Sequence, residues 1–185
     1  MQNGKFFHNP MTGEILVYDL NSHSETEKHL GINTAGPFRE GHYLPSGEVE
    51  CRVVEDEDSV SQETCNKLLK SRFPTFLSFF RWAIANGGQV VDGDLNLYGL
   101  REIDEDGLNI PEGVTHLWLD ILKSAKGLKI PEGVKYLYLN SLKSAEGLKI
   151  PESVTYLSLD SLKSAEGLKI PKGATAWIAW NQLKA

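Results

Sequence analysis

The chain has 185 residues, of which 41% are hydrophobic and 24% charged, and a formal net charge of −6. That length holds one ordinary domain or two small ones, and the composition excludes a globally disordered chain. The 19 Lys+Arg against 25 Asp+Glu argue against a dedicated binder of nucleic acid or anionic membrane, which carries a basic excess.

Residues 1–58 do not repeat and are expected to form a small β-rich module. Lys5–His8, the turn Asn9-Pro10-Met11-Thr12-Gly13 and Glu14–Asp19 read as one hairpin. His42–Leu44, the turn Pro45-Ser46-Gly47 and Glu48–Val53 read as another, and the polar linker 21–41 is expected to be irregular. The N-terminus lacks the long apolar stretch of a signal peptide. Cys51 and Cys65 cannot build a disulfide framework and form no C-x-x-C pair, so the expected compartment is reducing. His8, His23, His29 and His42 also precede the repeats, but no H-E-x-x-H, close cysteine pair or nucleophile elbow accompanies them. No catalytic residue, metal or cofactor is therefore expected; an enzyme or metal centre in this module is the alternative.

Residues 59–88 are expected to form a helical cap. The acidic run Glu55-Asp56-Glu57-Asp58 leads into a Ser59…Gln62 capping box, with Cys65, Leu68 and Leu69 as an apolar stripe. Pro74 is placed in the first turn of a second helix, whose buried face is Phe76, Leu77, Phe80, Ala83 and Ile84. Asn86-Gly87-Gly88 stops it. The apolar zone Phe73–Ala85 is interrupted by Pro74, Ser78 and Arg81, too broken to span a bilayer.

From 89 to 185 the chain repeats with a period of 20, and Ser141–Ile150 and Ser161–Ile170 are identical decapeptides. Leu-x-Leu at 117/119, 137/139 and 157/159 has the period of a half-buried strand. Leu122, Leu142 and Leu162 add a third apolar position. Gly127, Gly147 and Gly167 mark a reversal, and Leu128/Ile130 with their equivalents a second inward segment. Ile-Pro-Glu-Gly suits a type I turn with Pro at the second corner. Each unit is one coil of a solenoid, which buries its apolar set only against neighbours. Charge is polarised along the repeats: residues 91–113 hold one Arg against seven acids, residues 114–185 ten Lys against six.

The Leu-x-Leu strand, the second Leu/Ile pair and the recurring Ile-Pro-Glu-Gly/Ser-Val-Thr resemble bacterial leucine-rich repeats. The IPESVTYL stretch (150–157) is similar to BspA-like repeats, and the 20-residue period after a helical pair resembles the repeat domains of enterobacterial type III secreted effectors. The resemblance implies an α+β fold: a leucine-rich-repeat-like solenoid of stacked short parallel strands with a helical N-terminal cap. It also implies a bacterial interaction protein, an effector or inhibitor, whose strand face binds another protein. Either a cytoplasmic location or signal-peptide-independent secretion fits. The chain departs from the family where Leu122, Leu142 and Leu162 replace the usual loop Asn.

Carrying the strand face over gives three outward columns, from which the expected partner-binding residues are His116, Trp118, Asp120, Tyr136, Tyr138, Asn140, Tyr156, Ser158, Asp160, Ile178 and Trp180. The copies vary most there, and Tyr and Trp supply contact area at low entropic cost. Stacked aromatics can also serve only as a stabilising ladder. On the other arc Lys123/143/163 and Lys129/149/169 form columns beside Glu columns, which read as a solvated face, with phosphate or nucleic-acid binding as the alternative.

Overall fold

The computed structural model describes residues 4–9, 11–21, 23–32, 38–51 and 61–178. It divides into two compact units, residues 1–89 and 90–185.

The first unit is built on a four-stranded antiparallel sheet of β1 (Lys5–His8), β2 (Ile15–Leu16), β3 (Arg39–Tyr43) and β4 (Val49–Cys51), in the order β2-β1-β3-β4. Both expected hairpins are present. The linker expected to be irregular instead contains the helix α1 (His23–Leu30), whose last turn carries the basic residues Lys28 and His29, favourable at a helix C-terminus.

Two further helices follow, α2 (Gln62–Arg72) and α3 (Phe76–Ala85). Ser61, not Ser59, is the N-cap of α2, its hydroxyl accepting from Thr64 N; Ser59 lies outside the described residues. Gln62 is thereby freed for another task. Its Nε2 donates to Val49 O (2.8 Å) and its Oε1 accepts from Cys51 N (2.9 Å), so its amide extends the ladder of β4 and pins α2 there. Pro74 falls before α3, which starts from a Thr75/Ser78 capping box.

Phe79 of α3 meets Phe6 and Tyr43 at 5.6 Å between ring centroids and Phe73 at 5.5 Å, edge-on to Phe6 and Phe73. Tyr43 donates its hydroxyl to Phe73 O at 3.0 Å. The apolar stripe of α3 is thus engaged within the first unit, on the sheet face that carries Phe6 and Tyr43.

The second unit is a β-solenoid of about four turns. Its main sheet is parallel, in the order β11 (Thr175–Ile178), β10 (Tyr156–Leu159), β9 (Tyr136–Tyr138), β7 (His116–Trp118), β5 (Asp94–Asn96). A second, shorter ladder pairs β6 (Leu108–Asn109) with β8 (Leu128–Lys129). Leu95, Leu117, Leu137 and Leu157 stack in register, and Leu97, Leu119, Leu139 and Leu159 form the neighbouring column, all with no exposed surface.

Leu122, Leu142 and Leu162 are also fully buried. Each amide donates back to the strand Leu three residues earlier, at 3.0, 3.1 and 3.3 Å. This position belongs to the core, which gives a physical reason for its being Leu in every coil.

The Ile-Pro-Glu-Gly corner is offset from its expected placement. Val134, Val154 and Ala174 amides donate to the carbonyls of Pro131, Pro151 and Pro171, so Pro is the first corner and Gly or Ser the third. Gly113 and Gly173 take φ of 87° there, whereas no residue with positive φ stands at 133 or 153. The same tetrapeptide therefore closes two turn types, and Ser153 fits the one that needs no left-handed residue. Its hydroxyl donates to Val134 O at 2.9 Å.

Candidate functional site

The strand face brings together most of the expected aromatic residues. In-register pairing aligns Asp94, His116, Tyr136 and Tyr156 in one column and Asn96, Trp118, Tyr138 and Ser158 in the next. His116 stacks on Tyr136 at 4.4 Å and Trp118 on Tyr138 at 5.6 Å, both pairs within 5° of parallel. Tyr156 closes the block 5.5 Å from Tyr138, tilted by 44°. Stacking along the solenoid axis turns ring faces on one another, so mainly ring edges meet solvent.

Polar groups frame the block. His116 Nδ1 lies 3.1 Å from Asp94 Oδ1 and 3.0 Å from Thr115 Oγ1. Beside the second column, Asn140 Nδ2 donates to Asp120 Oδ1 and Ser158 Oγ donates to Asn140 Oδ1, each at 2.6 Å. Asp160 is exposed. Burial, followed by the neighbouring Tyr156, Tyr136 and Asp120, raises the Tyr138 phenol above its ordinary range, so it stays a neutral donor.

Three of the expected site residues need correction or stand apart. Ser158 is only 6% exposed and is spent on Asn140, so it supports the face from beneath. Ile178 points inward: it is 7% exposed and pairs with Leu159, not Ser158. Trp180 lies outside the described residues.

The Ile178 correction has a local cause. In the preceding coil both Thr155 and Tyr156 amides donate to Lys135 O, a bulge that absorbs one residue. In β11 Thr175 donates to Thr155 O and pairs with Tyr156 directly, so the register slips by one and every side chain changes face. Trp177 consequently faces out beside Ser158, 62% exposed, and joins the face where Ile178 was expected. The signal was in the sequence: Ala176 and Ile178 suit the interior, whereas the alternative phase would bury Trp177.

On the other arc, Lys123, Lys143 and Lys163 are exposed, and Lys123 Nζ lies 3.9 Å from Glu102. An exposed pair of this kind contributes little stability.

The first unit holds a cluster that spacing alone does not reveal. Cys51 at the end of β4 and Cys65 in the first turns of α2 are joined as a disulfide, with Cα atoms 6.5 Å apart. His8, at the end of β1, places Nε2 at 3.8 Å from Cys65 Sγ. The ligand atoms of all three lie within 4.8 Å of one another, although the residues are far apart in sequence. Register explains the meeting: Gly41 pairs with both Phe6 and Cys51, which sets His8, two residues from Phe6, on the same sheet face.

Burial, and secondarily the charge of Arg39, lower the His8 pKa from the ordinary 6.5. The folded state then keeps the ring neutral where the unfolded chain takes up a proton. Stability is thus full above about pH 6.5 and falls as pH drops below it, because the unfolded state binds more protons. Urea unfolding of the first unit between about pH 7 and pH 5 should show a steeper loss for the wild type than for His8→Gln. Parallel pH profiles would contradict this.

No helix among the described residues is long and apolar enough to cross a membrane. Compared with protein-family models, curated proteins and solved structures, the chain matches none of them.

Proposed function

We propose that the chain is a non-enzymatic protein–protein interaction module of the leucine-rich-repeat kind, acting as a bacterial effector or inhibitor. It binds a partner protein through the strand face of the solenoid. The observation that carries this reading is the outward block of His116, Trp118, Tyr136, Tyr138 and Tyr156 on coils whose inward positions are nearly constant. Packing needs uniform Leu columns, but it does not require His, Trp, Tyr and Ser to alternate outside them.

The chemistry of the face specifies its partner. Ring edges carry the positive rim of the aromatic quadrupole, and Asp94, Asp120 and Asp160 add negative charge around them. A polar protein surface presenting carbonyls to the ring edges and Lys or Arg to the carboxylates fits both. Its association is then accelerated at low salt.

The test uses the intact protein with a photoreactive side chain at position 138, and separately at Lys149 on the other arc. The same partner should be captured from position 138 and not from 149. Trp118→Ala with Tyr138→Ala should then weaken binding to that partner by roughly 30-fold or more, in keeping with about 2 kcal/mol for a hot-spot residue. Unchanged capture by a variant that keeps its far-ultraviolet circular dichroism would sink the reading.

A further inference from the structure

We infer that, once reduced, Cys51 and Cys65 form with His8 a binding site for a thiophilic divalent cation of the zinc type. Two thiolates and one neutral imidazole are a ligand set that zinc takes, leaving a fourth position open.

The geometry is close to that requirement. With Zn–S of ~2.3 Å and Zn–N of ~2.0–2.1 Å, tetrahedral ligands place N and S about 3.6 Å apart and two sulfurs about 3.8 Å apart. His8 Nε2 already stands 3.8 Å from Cys65 Sγ. The Cα separation of 6.5 Å accommodates the thiolate pair as well as the disulfide. Breaking the disulfide therefore asks mainly for a side-chain rotation at Cys51, which is half-buried and reachable from solvent.

Two further observations point to a ligand. His8 is only 1% exposed, yet its Nδ1 has no hydrogen-bond partner and its Nε2 approaches only a sulfur among the described residues. A disulfide needs no imidazole beside it, whereas a cation would give Nε2 the bond that its surroundings do not, with the proton held on Nδ1. The second observation is the Gln62 amide, which ties α2 to β4 at Val49 and Cys51. That clamp keeps the two sulfurs together whether or not they are bonded, so reduction leaves a formed site.

The chemistry balances with a dithiol as reductant. Its two thiols pass two electrons and two protons to the disulfide, giving the Cys51 and Cys65 thiols and a cyclic disulfide of the reductant. Zinc then displaces both thiol protons and binds the thiolates and Nε2, so occupancy rises with pH.

The experiment uses the full chain, reduced with a dithiol that is removed anaerobically, and titrated with Zn2+ against a chromophoric chelator. Co2+ serves as a spectroscopic substitute. The reduced protein should bind one Zn2+, and its Co2+ form should show thiolate-to-metal charge transfer. The oxidised protein should bind none. Cys65→Ser should lower affinity by about 100-fold or more, and His8→Gln by about 10-fold, as expected for lost ligands. Because Cys65 is buried, Cys51→Ser at the half-buried end of β4 provides a second variant with less risk to folding. Absence of stoichiometric zinc in the reduced wild type, or equal affinity in His8→Gln, would overturn the assignment.

Discussion

Leu137→Ala is expected to destabilise the solenoid by about 4–5 kcal/mol, near the top of the range for a buried leucine. Leu137 is fully buried and sits in register between Leu117 and Leu157, whose positions are fixed by parallel backbone ladders on both sides. Those ladders prevent neighbouring coils from sliding into the vacated space, so the cavity persists. Each coil is stabilised chiefly by its two neighbours, and a defect in the middle weakens two interfaces at once. Ile178→Ala, in a strand that pairs with one neighbour among the described residues, is expected to cost less. Urea unfolding followed by far-ultraviolet circular dichroism separates the two. Equal midpoints for both variants would mean that the coils do not couple as stacked units.

The solenoid was legible because its signal is redundant. Leu-x-Leu recurs coil after coil, and a fixed period forces equivalent residues into the same column. The errors fall where redundancy ends. At Thr175–Ile178 the repeat loses its leucines, and the slipped phase shows only in the residue types of Ala176, Trp177 and Ile178, a signal that carrying the period of 20 forward overlooks. The proline corner was legible as a turn but not in its phase, since Pro-Glu-Gly is compatible with either placement.

The first unit was legible in its two hairpins and in the helices α2 and α3, though not in α1. The disulfide and its neighbouring imidazole depend on a register that sets Gly41 between Phe6 and Cys51, and on Gln62 leaving a capping role to bind β4. Such contacts join residues far apart in sequence, and local pattern does not encode them. The stacked aromatic block His116–Tyr156 was legible in membership, while Trp177, the stacking itself and the support of Ser158 beneath it required coordinates.

Gly41→Val is expected to have the reverse of its propensity effect. Strand propensity alone predicts a gain, since valine is favoured over glycine in strands by up to about 1 kcal/mol. Here the expected result is a loss of about 3 kcal/mol or more, the upper end for overpacking. A Cβ at position 41 would stand 2.7 Å from Phe6 Cε2 and 3.1 Å from Glu50 O. Phe6 cannot swing clear, because Phe79 lies edge-on against it at 5.6 Å. The alternative is a displaced β3, which would move Cys51 across the sheet from His8. Hydrogen exchange should therefore show lost protection in β1 and β3, and the reduced variant should bind Zn2+ more weakly. Adding Phe6→Leu should recover part of the stability, since the shorter side chain leaves room for the new methyl groups. A Gly41→Val protein as stable as the wild type would show that the Phe6 ring does not set the identity of residue 41.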